Sequence, residues 1–101
     1  MQYTMDTLDG TALLRVSGRL VFSDADVFRE LITKLKAGSA RRWTLDVSGL
    51  EFIDSGGLGM LLMIREAAEQ MGTKVVLQKP AGQVKKALEL SRFSQLMQIE
   101  P

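Results

Sequence analysis

Apolar residues recur along this chain with two different periods, and the change from one to the other lays out its elements. Trp43, Leu45 and Val47 alternate with Thr44 and Asp46, the two-residue repeat of a strand whose faces meet different surroundings. Phe28, Leu31, Ile32 and Leu35 recur at helical spacing instead. The helix they define is predicted to open on a capping box formed by Ser23 and Asp26 and to stop near Gly38. Before it, Gln2 to Thr7 and Ala12 to Ser17 read as strands joined by Asp9-Gly10, a strong hairpin signal. After the central strand, Ser48-Gly49 reads as a turn. Leu50 to Ile53 then leads into a second helix from about Gly56 to Met71, which Gly72 terminates. Lys74 to Gln78 is a further strand and Lys79-Pro80-Ala81-Gly82 a loop. Gln83 to Leu90 is a third helix with Val84, Ala87 and Leu88 facing inward, and Phe93 to Met97 is a short helical turn. The last residues are candidates for an edge strand.

The order β-β-α-β-α-β-α, with short final elements, is that of an α/β domain built on a mixed sheet packed with helices. Helical crossovers imply parallel neighbours beside the antiparallel opening pair. No linker-like segment or shift in composition divides residues 1–101, so one domain is expected. Hydrophobic residues make up 46% of the chain against 25% charged, enough apolar material for a globular core.

At about 100° per residue, Met60, Ile64, Ala67 and Met71 of the second helix project together. Arg65, Glu66, Glu69 and Gln70 lie roughly opposite. Ser55, Leu58, Gly59 and Leu62 fall on the polar side, which sets two leucines beside a lone hydroxyl at the helix start. Asp54 precedes that serine, and Gly56 and Gly57 follow it. A serine here either caps free backbone N–H groups or offers its hydroxyl to a partner, and both readings are open. Leu58 and Leu62 are either covered by neighbouring segments or form the apolar centre of a partner surface, with the glycines permitting close backbone approach.

Charge and composition narrow the chemistry. Thirteen basic residues against twelve acidic ones leave a net charge of +1, which provides no broad attraction to nucleic acid or to an anionic membrane. The longest apolar stretch, Leu58 to Ile64, is far short of the roughly 20 residues that span a bilayer, so no direct membrane insertion is expected. Asp6 and Asp9 break any signal-peptide pattern. With no cysteine, disulfide and thiolate chemistry are absent and a cytoplasmic location is the expectation. With no histidine, Ser-His-Asp catalysis and imidazole acid-base work are excluded and nearly all zinc sites with them. Nothing then activates Ser55 as a nucleophile; the expectation is a protein that is not an enzyme, needs no cofactor or metal, and is acted on by others. Asp24 and Asp26, two apart on a helix, sit on different faces and suit a helix start better than paired catalysis. Asp46 is expected to line the strand end near Ser55. The Gly56-Gly57-Leu58-Gly59 run lacks both the GxGxxG spacing and the P-loop lysine. A phosphate on Ser55 would add about −1.5 to −2 charges; the helix N-terminus would partly offset the repulsion from Asp54, whereas an apolar partner docked there would be evicted.

The run from Leu45 to Gly59, Leu-Asp-Val-Ser-Gly-Leu-Glu-Phe-Ile-Asp-Ser-Gly-Gly-Leu-Gly, resembles the signature of STAS domains, especially bacterial anti-sigma factor antagonists. Val16-Ser17-Gly18-Arg19-Leu20 is similar to the family's strand-to-Gly-x-Leu entry, and Ala87 to Phe93 to its C-terminal helix and turn. The resemblance implies that Ser55 is phosphorylated by a partner that is both anti-sigma factor and serine kinase. Asp54 would be the neighbouring acidic residue, and Gly56, Gly57, Leu58, Gly59 and Leu62 the surrounding contact surface. It also implies that the unphosphorylated form binds the kinase and that a metal-dependent serine phosphatase resets the switch. Two positions depart from the pattern: Gly56 stands where Ser or Thr is usual, and Val21 where an acidic residue is usual. The hydroxyl-Gly-Gly-Leu form also resembles the STAS subunit of lipid-transport ABC complexes, which binds an ATPase without needing phosphorylation. The same leucines could equally support a homodimer.

Overall fold

The computed structural model describes all 101 residues. The chain runs through β1 (Gln2–Leu8), β2 (Thr11–Leu20), a 3-10 turn (Phe22–Asp24), α1 (Ala25–Ala37), β3 (Arg42–Ile53), α2 (Ser55–Met71), β4 (Lys74–Gln78) and α3 (Gly82–Leu90). A second 3-10 turn (Phe93–Gln95) and β5 (Gln98–Glu100) complete it. The five strands lie in the order β1-β2-β3-β4-β5. β1 and β2 are antiparallel, and every later pair is parallel. Asp9 and Gly10 both take positive φ, 51° and 78°, the backbone that a two-residue hairpin needs to match the strands' twist. The mixed α/β sheet expected from the sequence is thus present, and the final residues do form an edge strand.

Each parallel crossover steps one strand further in the same direction, so right-handed connections place all three helices on one face of the sheet. That face holds the core, a single cluster of 23 buried residues in which Leu14, Trp43, Leu45 and Val47 of the strands meet Phe28, Leu31, Ile64 and Val84 of the helices. α2 presents Leu61 and Ala68 to this core as well as Met60, Ile64 and Ala67. Met71, expected inside, is exposed in the last turn, where α2 runs out at Gly72, whose φ of 65° closes the helix.

Two local expectations are corrected. Ser48-Gly49 is not a turn but lies within β3: Arg15 is opposite Asp46 while Ser17 is opposite Gly49, so β3 carries an extra residue there, and a second register shift falls between Gly18 and Arg19. These bulges bend the strand without ending it, and they carry it on to Ile53. Ser23 and Asp26 do not form a capping box. The carboxylate at work is Asp24, whose Oδ2 accepts from the Val21 N–H at 2.9 Å, while Asp26 pairs with Arg29 on the helix surface.

The sheet's other face carries no helix, yet Val76 is 0% exposed and Thr44 is buried beside it. Val76 is opposite Thr44 on β3 and Gln98 on β5. An ion pair at 3.4 Å between Arg42 and Glu100 joins strands on either side of β4, one step before and one step after this row, so it spans Val76. The long polar side chains do what a helix does on the opposite face, their stems excluding water. Val76→Ala is therefore expected to cost about 1–2 kcal/mol, measured by urea denaturation, where an open-face valine in water would cost almost nothing.

Candidate functional site

β3 runs beyond the end of β4: its pairing with that strand stops at Asp46 opposite Gln78, and it continues alongside β2 to Ile53. The next residue is Asp54, which caps α2. Its Oδ1 accepts from the Gly57 N–H at 2.7 Å and its Oδ2 accepts from the Phe22 N–H at 3.2 Å, while its own N–H donates to the Leu20 carbonyl. One side chain thereby satisfies a helix N-terminus and ties it to the segment leaving β2.

Ser55 is the first residue of α2 and is exposed. Asp54 does the capping, and the serine hydroxyl stands at the helix start without that task. The backbone N–H groups of Ser55 and Gly56 belong to the unpaired first turn.

The glycines play three different parts. A Cβ on Gly56 would lie 2.8 Å from both Cα and Cβ of Phe22, so this residue is glycine because the Phe22 segment rests on the helix start. Gly57 is buried, and a Cβ there would collide with the Leu20 carbonyl oxygen. It shapes the site from behind and does not line its surface. Gly59 has open space around its missing side chain. Leu58 is half-buried and packs against the core, while Leu62 is 38% exposed. Leu62 is the more exposed of the two leucines.

Nothing in the apolar spacing marks Phe22, yet its side chain is 77% exposed while its backbone is held against Gly56 and Asp54. The only hint in the chain is the pair of departures already noted, Val21 just before it and Gly56 beneath it. Behind the Phe22 segment, the Val21 N–H first and then the Met1 amino group hold the Asp24 carboxyl below its ordinary range, against the opposing effect of burial. A second residue absent from the expectations is Gln83, whose carboxamide meets the backbone of Ile53 twice, accepting from its N–H and donating to its carbonyl, both at 2.9 Å.

Asp46 does not line the strand end near Ser55. It sits opposite Arg15 and Gln78, on the helix-free face, and accepts from both the N–H and the hydroxyl of Ser48 at 2.9 and 2.7 Å. Burial opposes its ionisation, but those two hydrogen bonds and the charges of Lys79 and Arg15 outweigh it and lower its pKa. It also lines a shallow concavity with Gln2, Thr4 and Arg15.

Gly56→Ala should displace the Phe22 segment and cost about 1–3 kcal/mol, with the Phe22 amide resonance moving, whereas Gly59→Ala should be stabilising by up to about 1 kcal/mol; denaturation and amide spectra separate them. Because the folded-state pKa of Asp24 lies below the ordinary 3.8, its stabilisation is complete above that value and is lost as pH falls through the depressed one. Asp24→Asn should accordingly flatten the acid limb of the stability profile in that window.

The family model described as "Mlab, STAS domain" matches residues 4–98. A STAS-domain containing protein of Pseudomonas aeruginosa is 31% identical over 96 residues, spanning 94% of each chain. BtrV of Bordetella bronchiseptica, which carries the name of an anti-sigma factor antagonist, is 30% identical over 94 residues, 92% of this chain and 80% of its own. Among solved structures, a Thermotoga maritima protein named in the same way superposes with a TM-score of 0.87 at 21% identity, covering 98% of this chain and 86% of that one. The Bacillus cell fate determinant SpoIIAA in its phosphorylated form does so with a TM-score of 0.72 at 20% identity, covering 97% and 90%. No helix is long and apolar enough to cross a membrane. A match over nearly the whole chain, with the signature run placed at the β3–α2 junction, means that this chain belongs to the STAS domain family.

Proposed function

We propose that this chain is a partner-switching regulator of the anti-sigma factor antagonist kind, in which Ser55 accepts a phosphoryl group from a serine kinase that is also the binding partner. The observation that carries this reading is the division of labour at the start of α2: Asp54 caps the helix through Gly57, and the adjoining Ser55 is left exposed. A hydroxyl needed for capping would resist modification, whereas this one is available. Phe22 and Leu62 supply apolar surface near it, on the side where the kinase docks, and Gly56 and Gly59 let its backbone approach. ATP and the metal ion belong to the partners, and a serine phosphatase resets the protein.

The electrostatics favour eviction of the partner over unfolding of the chain. A phosphate at Ser55 meets the positive end of α2 and the unpaired N–H groups of its first turn, and Asp54 already has both oxygens engaged. The same two negative charges in an apolar interface would lose their water and find no counter-charge.

Binding to the ATPase of a lipid-transport ABC complex is the second reading, favoured by the Ser55-Gly56-Gly57-Leu58 run. Gly56 does not decide between the two, since its contact with Phe22 already requires a glycine. Mass spectrometry after incubation with the cognate kinase and ATP should find phosphate on Ser55 and none on Ser55→Ala. Ser55→Asp should weaken kinase binding at least tenfold by calorimetry, about 1.4 kcal/mol, with folding stability unchanged within about 0.5 kcal/mol. Unmodified Ser55, with a pull-down from the host that recovers a transport ATPase equally on wild type and Ser55→Ala, would establish the second reading instead.

A further inference from the structure

We propose that Gln83 is a positioning residue for Ser55, its carboxamide standing in for the strand that β3 lacks at its end. This rests on the reading of Ser55 as the phosphoryl acceptor. In a parallel ladder the N–H and C=O of one residue point to the same side, and those of its neighbour to the other. Asp54 N–H donates to Leu20, so Ile53 turns both of its backbone groups away from β2. β4 ended at Gln78, opposite Asp46, so no strand is present to receive them. The Gln83 side chain receives both, at 2.9 Å each, in the pattern of a ladder pair.

The location gives this contact its consequence. Ile53 is buried, and the two residues after it are Asp54 and Ser55, so the peptide that sets the direction of the helix start is fixed from three sides. Leu20 holds Asp54 from β2, Phe22 holds the Asp54 carboxylate, and Gln83 holds Ile53 from α3. The first two are local to the β2–α1 connection; the third comes from a different element. Gln83 lies in the first turn of α3, after Ala81 at the N-cap and Gly82, which enters the helix at φ 54°. Phosphoryl transfer depends heavily on holding the attacking oxygen in line with the donor, so a tether on the peptide preceding the acceptor acts on the chemical step. Leu62 makes no hydrogen bond to this network and Phe22 meets it only through its backbone N–H on Asp54, so binding should be affected less than the chemical step.

The experiment compares wild type, Gln83→Ala, Gln83→Glu and Lys86→Ala. Gln83→Glu keeps an acceptor for the Ile53 N–H but turns a second oxygen toward the Ile53 carbonyl, so at neutral pH it should behave like the alanine variant. Lys86, exposed on the same helix, is the control and should match wild type. In native-state hydrogen exchange without any kinase, the Ile53 amide should exchange at least tenfold faster in both Gln83 variants. The Asp54 and Ser55 amide resonances should shift, while those of β1 stay in place. With kinase and ATP, kcat should fall roughly five- to twentyfold and KM should stay within twofold. Unchanged Ile53 exchange and Ser55 resonances would overturn the proposal, as would a loss that falls on KM with kcat intact. If wild-type Ser55 accepts no phosphate, the partner-switch reading fails by that result alone, and the positioning claim is then decided by the exchange and resonance data.

Discussion

The two hydrogen bonds accepted by the Asp54 carboxylate are the constraint on which the rest of the site depends. Uncapped, α2 would begin with unpaired N–H groups beside its own serine, and the nearest hydroxyl would be drawn into satisfying them. Asp54 prevents this through Gly57, and with its other oxygen it fastens the Phe22 backbone across the helix start. That second bond fixes the segment leaving β2 so close to α2 that neither Gly56 nor Gly57 can carry a side chain. The exposed hydroxyl, the flanking glycines and the outward Phe22 are therefore one arrangement viewed from three positions.

A serine or threonine in place of Gly56 would bring a Cβ within 2.8 Å of the Cα of Phe22, so glycine and the close approach of Phe22 go together as a matched pair. The apolar ring displayed above it, in the neighbourhood where Val21 replaces an acid, makes this surface less charged than the family pattern implies. A partner suited to it would rely more on burying Phe22 and Leu62 than on pairing charges. Contacts of that kind are sensitive to a phosphate placed beside them, because desolvating two negative charges costs far more than one apolar contact returns.

The periodicities of the sequence were sufficient for the sheet, the three helices and their order, because each element has one buried face and the repeat records it: Phe28, Leu31, Ile32 and Leu35 are all in the core. Where structure and expectation differ, the deciding contact is one that the apolar repeat does not record. Ser48-Gly49 looks like a turn, and only the register against Arg15 and Ser17 shows an extra residue within a continuing strand. Ser23 and Asp26 have the spacing of a capping box, but the carboxylate that closes the β2–α1 connection is Asp24, reaching back to Val21. Asp46 has the right residue type to support Ser55 but lies on the helix-free face. Phe22 would be assigned to the core on hydrophobicity alone, and its exposure follows from being pinned through its backbone. Gln83 was invisible for a different reason: its role exists only because β4 is shorter than β3.

That difference in strand length also locates the site. A strand with neighbours on both sides has its backbone groups committed, and a helix leaving such a strand would start within the sheet. By outrunning β4, β3 lifts its final residues clear of one neighbour, so that α2 begins at an edge open to a partner while β2 still guides it through Leu20 and Asp54. The exposed position comes with an unpaired Ile53 backbone, and a single carboxamide from α3 resolves it. A side chain is a weaker guide than a strand, since it carries its own rotamer freedom, so the start of α2 is held firmly on the β2 side and more loosely on the α3 side. If Ser55 must meet a kinase and later a phosphatase, the β2 side preserves the geometry that both partners read, and the Gln83 carboxamide supplies the restraint that a longer β4 would otherwise give.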